Sequence, residues 1–87
     1  MIIDERRHGD AVSTMIMNND GSVYVEGRIG DNRDIACPRT PTLGNVPFGL
    51  LTEIRYRHGG VPKTPELESF CRGIWRKAEN YDSWFCC

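Results

Sequence analysis

The sequence has no long apolar run, no surplus of either charge and no repeated pair of metal-binding residues. No apolar stretch approaches the roughly 18–20 residues that a membrane-spanning helix needs, so we predict no membrane insertion. Eleven basic and twelve acidic side chains nearly cancel, whereas unselective nucleic-acid binding requires excess positive charge. The charge balance therefore disfavours a general nucleic-acid binder.

The length of 87 residues predicts one small domain over residues 1–87. Hydrophobic residues make up 39% and charged residues 26% of the chain, proportions typical of a globular protein rather than a disordered one. The segment from Met1 to Arg7 lacks the apolar core of a secretion signal. Without an export signal the chain is predicted to be cytoplasmic, and its four cysteines are most simply reduced thiols.

The strongest structural pattern is an amphipathic helix from Thr64 to Ala78. Thr64 is a favourable N-cap, and Pro65 suits the first helical position because its missing N–H needs no partner there. The segment is therefore expected to lay one face on a sheet. That face consists of apolar side chains spaced three and four residues apart: Leu67, Phe70, Cys71, Ile74, Trp75 and Ala78.

Residues 11–29 are predicted to form a β-hairpin around an Asn-Asn-Asp-Gly turn, since these residues tolerate tight-turn geometry. Its register has two solutions. A two-residue loop places the even-numbered residues of the first strand beside Val23 and Val25. A three-residue loop ending at the glycine places Met15 and Met17 there instead. Both solutions bury apolar side chains, so the pattern leaves the choice open.

Residues 30–47 are expected to be irregular because three prolines interrupt them. Residues 50–57 are predicted as a strand, with Leu50, Thr52, Ile54 and Tyr56 on one side and Leu51, Glu53, Arg55 and Arg57 on the other. The resulting expectation is an α+β fold. A small antiparallel sheet of about three strands is covered on one face by the C-terminal helix.

Cysteine and histidine offer the only candidates for metal or nucleophile chemistry. A zinc site could be drawn from His58, Cys71, Cys86 and Cys87, or with Cys37 replacing one of them. Structural zinc sites usually repeat a close pair of ligands, whereas the only close pair here is the adjacent Cys86-Cys87. We therefore predict no metal and no cofactor.

A catalytic thiol would need a base beside it. Cys37 with His58 or His8 is the arrangement to consider, and nothing in the sequence places a histidine near that cysteine. The glycines match no phosphate-binding loop. The sequence therefore predicts a protein that is not an enzyme.

The polar face of the predicted sheet is the main candidate for recognition. Tyrosine and arginine are enriched at interfaces because they combine contact area with directed hydrogen bonds. The same mixture could hold single-stranded nucleic acid, or it could be a solvated face with cross-strand Glu–Arg pairs. The predicted partner-binding residues are Tyr24, Glu26, Arg28, Glu53, Arg55, Arg57 and, in the aromatic tail, Trp84.

By elimination, the sequence favours a non-enzymatic protein that binds a protein partner, as a monomer or a homodimer. Small cofactor-free domains of this kind are frequent among inhibitors and adaptors of phages and mobile elements, for example anti-CRISPR inhibitors of host defence nucleases; this is an expectation from class alone. The alternatives are a nucleic-acid-binding module that uses the Arg/Tyr face and a small zinc-binding protein.

Overall fold

Four strands and two helices form the part of the chain that the computed structural model describes, which comprises residues 1–9, 11–29, 39–56 and 64–81. The strands make one antiparallel sheet in the order β1-β2-β3-β4. The predicted α+β class with a C-terminal helix is confirmed. The elements are β1 (Ile2–His8), β2 (Ala11–Met17), β3 (Ser22–Ile29), β4 (Gly44–Asn45), α1 (Phe48–Tyr56) and α2 (Pro65–Ala78).

The hairpin of β2 and β3 has the register of the three-residue loop. The N–H of Asn18 donates to the carbonyl of Ser22 at 2.8 Å, and Gly21 closes the loop with a positive φ of 91°, the backbone conformation that glycine adopts most readily. Met17 therefore lies opposite Val23, and Met15 opposite Val25. These four side chains are buried on one face of the sheet.

The prediction of a strand over 50–57 is wrong, because Phe48–Tyr56 is a helix. The N–H of Leu51 donates to the carbonyl of Pro47 at 2.9 Å, which is a helical hydrogen bond in the first turn. Leu50 and Ile54 share a face in either conformation, so they do not distinguish a strand from a helix. Leu51 distinguishes them, because in the helix it joins its two apolar neighbours against the core.

Two strands lie where the sequence indicated none. β1 contains a run of four charged residues without apolar alternation, yet it pairs with β2 through a bulge that buries Ile3. β4 lies within the segment predicted to be irregular. Thr40 and Leu43 donate N–H bonds to the carbonyls of Val25 and Val23 at 2.9 and 2.8 Å, and so hold this segment along β3.

The helix predicted from Thr64 to Ala78 is confirmed as α2. Thr64 caps it by accepting a 3.2 Å hydrogen bond from the N–H of Leu67, and Pro65 occupies the first turn as expected. The predicted apolar stripe is buried with the exception of Phe70, which is partly buried against the core. Its buried members are Leu67, Cys71, Ile74, Trp75 and Ala78.

Helix α2 is joined to the sheet by polar contacts at both edges. Trp75 Nε1 donates to Asp4 Oδ2 on β1 at 2.7 Å, and the guanidinium of Arg6 lies 4.8 Å from the centroid of the Trp75 ring. On the other side, Lys77 Nζ donates to the carbonyl of Leu43 at 3.1 Å. Neither helix within the described ranges has the length and apolar character needed to cross a membrane.

Candidate functional site

The structure places three of the predicted partner-binding residues on β3. Tyr24 is partly buried, and the guanidinium of Arg39 lies 5.2 Å from the centroid of its ring. Glu26 is only 7% exposed. Arg28 also lies on β3. The sheet face around Tyr24 and Glu26 is therefore more enclosed than the open polar surface that the alternation of β3 suggested.

The remaining predicted residues do not extend that face. Glu53 and Arg55 lie on α1 and not on a neighbouring strand, so they cannot pair across a sheet with Tyr24 or Glu26. Arg57 and Trp84 lie outside the described residues. The combined Arg/Tyr sheet face is therefore not formed as predicted, and the partner-binding role of each of these residues stays a prediction.

The metal and thiol candidates fall mostly outside the described ranges, as His58, Cys37, Cys86 and Cys87 do. Cys71 is buried on α2 among the core side chains, where a thiol acts as a small apolar group. Within residues 1–9, 11–29, 39–56 and 64–81, no three metal-binding side chains come together.

An open groove runs between α1 and α2, with a volume of about 860 Å³. Both helices contribute their N-terminal turns. Four of the lining residues are apolar, with Pro47 and Leu50 on the α1 side and Pro65 and Phe70 on the α2 side. Leu50 and Phe70 are partly buried against the core and partly open to the groove. The floor is therefore an apolar surface supported from beneath by the hydrophobic core.

The charged side chains among the described lining residues of the groove are acidic. Glu53 on α1 and Glu66 on α2 both line it, together with Ser69. Glu66 lies in the first turn of α2, where the helix dipole favours a carboxylate. No lysine or arginine is among the residues that the structure describes as lining the groove. The arrangement offers apolar contact along the floor and two carboxylates at the sides.

Phe48 precedes the groove at the start of α1 and is 83% exposed. It is the most exposed large apolar side chain among the described residues. Its neighbour Gly49 lines the groove, and a Cβ added there would meet no atom within 4 Å. A binding partner could therefore approach the backbone of α1 closely at this point.

A second, smaller cavity of about 320 Å³ lies where β1 meets α2. Its charged side chains are of both signs and include Asp4, Arg6, Glu68 and Arg72. Asp4 and Arg6 both contact Trp75, so their interactions hold α2 on the sheet. The groove between the helices is the better candidate for recognition.

Sequence reasoning missed the groove because it assigned residues 50–57 to a strand. A helical signal was present, but it was too short to exclude a strand. Leu50, Leu51 and Ile54 have the spacing of a helical face, and Pro47 stands just before the first turn. Phe70 was expected within the core-facing stripe, and the structure divides it between the core and the groove.

Comparisons of this chain with protein-family models, with curated proteins and with solved structures found no match.

Proposed function

We propose that this chain is a non-enzymatic protein that acts by binding a protein partner through the groove between α1 and α2. The observation that carries this proposal is the apolar floor of the groove beside Phe48, whose side chain is 83% exposed. Burying a phenylalanine side chain is worth roughly 1.5–3 kcal/mol. Contiguous apolar surface rimmed by polar residues is characteristic of interaction sites.

The proposal extends to an inhibitor or adaptor in a cytoplasm, of the type that phages and mobile elements encode, such as an anti-CRISPR protein. Its support is the nearly balanced charge and the lack of a catalytic motif in the sequence. A protein partner is favoured over nucleic acid because the groove presents carboxylates and apolar groups, which do not attract phosphate.

The test compares capture of partners from the native host by three variants of the full chain. Gly49→Leu fills the groove, and Phe48→Ser removes the exposed ring. Gly73→Leu is the matched control, because Gly73 is also an exposed helical glycine whose added Cβ would meet no atom within 4 Å, and it lies outside the groove.

We expect one partner to be captured by the wild type and by Gly73→Leu, and to be lost from both groove variants. Direct binding with the purified partner then confirms the contact. Equal capture by all variants would refute the groove as the binding surface. Retention of single-stranded oligonucleotides at low salt, lost as salt rises, would instead assign the chain to the nucleic-acid binders.

A further inference from the structure

We infer that the segment recognised by the groove carries a large apolar side chain flanked by lysine or arginine. This inference rests on the proposed function and specifies the chemistry of the partner. It follows from two features that both helices contribute, namely the apolar floor of the groove and the negative charge of its described acidic residues.

The apolar floor calls for an apolar side chain. Leu50 on α1 and Phe70 on α2 both line the groove and pack against the core beneath it. The groove has a volume of about 860 Å³, comparable to the roughly 300–1,000 Å³ of pockets that hold small molecules, so one large side chain fits in it. A leucine, methionine or phenylalanine of the partner would displace water from both side chains.

The charges select the residues beside that apolar group. Glu53 and Glu66 contribute a carboxylate from each helix, and both side chains are exposed. An acidic partner would bring its carboxylates next to those of Glu53 and Glu66, where like charges repel. A basic partner would be attracted to the same carboxylates during approach and after docking. The open space at Gly49 allows the backbone of the partner to come near enough for both contacts.

The test uses the full chain and two short synthetic peptides that share one central leucine-containing sequence. One peptide has lysine on both sides of the apolar centre, and the other has glutamate at the same positions. Binding is measured by fluorescence anisotropy at low and moderate salt. The sites of contact are mapped from the amide chemical shifts of the labelled protein.

We expect the lysine peptide to bind more than about tenfold more tightly than the glutamate peptide, with shifts centred on Leu50, Ser69 and Phe70. Glu53→Lys and Glu66→Lys should reduce or reverse that preference. Glu68→Lys is the matched control, because Glu68 is also an exposed acidic residue of the first turn of α2 and lies outside the groove.

Equal binding of the two peptides, no binding of either, or a preference unaffected by the two groove variants would overturn the inference. A dimer that Gly49→Leu dissociates would assign the groove to a second copy of the chain and would also overturn it. If charge preference fails while groove-dependent capture persists, the proposed function stands and only the partner chemistry is wrong.

Discussion

Trp75 and Asp4, separated by 71 positions in the chain, are joined by a 2.7 Å hydrogen bond from Trp75 Nε1 to Asp4 Oδ2. The other oxygen of the same carboxylate accepts the N–H of Glu5 at 2.9 Å. One side chain thus binds the edge strand β1 and the C-terminal helix together. Trp75 itself is 2% exposed, so its indole N–H depends on a protein acceptor.

Removal of that acceptor should destabilise the fold. We expect Asp4→Ala to lower the free energy of unfolding by about 1–3 kcal/mol, because it removes a hydrogen bond made by a buried donor. Asp4→Asn should cost less, since its amide oxygen can still accept. Urea denaturation followed by circular dichroism measures both. An Asp4→Ala variant as stable as the wild type would show that the bond contributes nothing.

Gly44 on β4 lies close to the side chains of α2. A Cβ at this position would lie 3.1 Å from Ile74 Cδ1. We expect Gly44→Val to destabilise the protein by about 1–3 kcal/mol through overpacking. Gly73→Ala on the exposed face of α2 should instead stabilise it, by up to about 1 kcal/mol, because alanine has the higher helix propensity. Thermal unfolding of the pair distinguishes crowding from a general effect of replacing glycine.

The hairpin register can be tested by truncating adjacent residues of β2. Met15 is fully buried, whereas its neighbour Ile16 is only partly buried on the opposite face. Met15→Ala should cost about 2–5 kcal/mol, and Ile16→Ala should cost clearly less. Chemical denaturation of the two variants measures the difference. The reverse order would support the two-residue loop.

The turn before β3 should give a specific dependence on pH. The Ser22 hydroxyl donates to Asp20 Oδ1 at 2.6 Å and the Ser22 N–H at 2.9 Å, and these bonds lower the pKa of the Asp20 carboxyl from its ordinary 3.8. The folded pKa is therefore below the unfolded one. The stabilisation is present above the unfolded value and is lost as pH falls through the folded value.

We accordingly expect the stability difference between the wild type and Asp20→Asn to shrink between about pH 5 and pH 2. Urea denaturation across that range measures it. Asparagine suits the same turn but does not ionise there, so it serves as the control for the carboxylate. Parallel pH profiles for the two proteins would contradict the assignment.

Local sequence patterns predicted a helix or strand correctly where several independent signals indicated the same element. In α2 the apolar spacing, the Thr64 cap and Pro65 all indicate a helix that starts at one place. The failure at 50–57 has a physical cause, because eight residues are too few to separate a period of 2 from one of 3.6. β1 was missed because its charged residues do not alternate with apolar ones. Its strand conformation is instead defined by its pairing with β2.

Signals within a few residues predict the C-terminal helix, the position of the hairpin turn and the α+β class, because caps, turn residues and periodicity are local. The helix at Phe48–Tyr56 and the groove beside α2 come instead from packing between distant segments. A Cβ at Gly21 would lie 3.6 Å from Leu51 Cδ2. The Leu51 side chain of α1 therefore packs beside the hairpin turn, 30 positions earlier in the chain. Contacts between residues so far apart in the chain form only when the whole domain packs, so a local sequence pattern does not predict them.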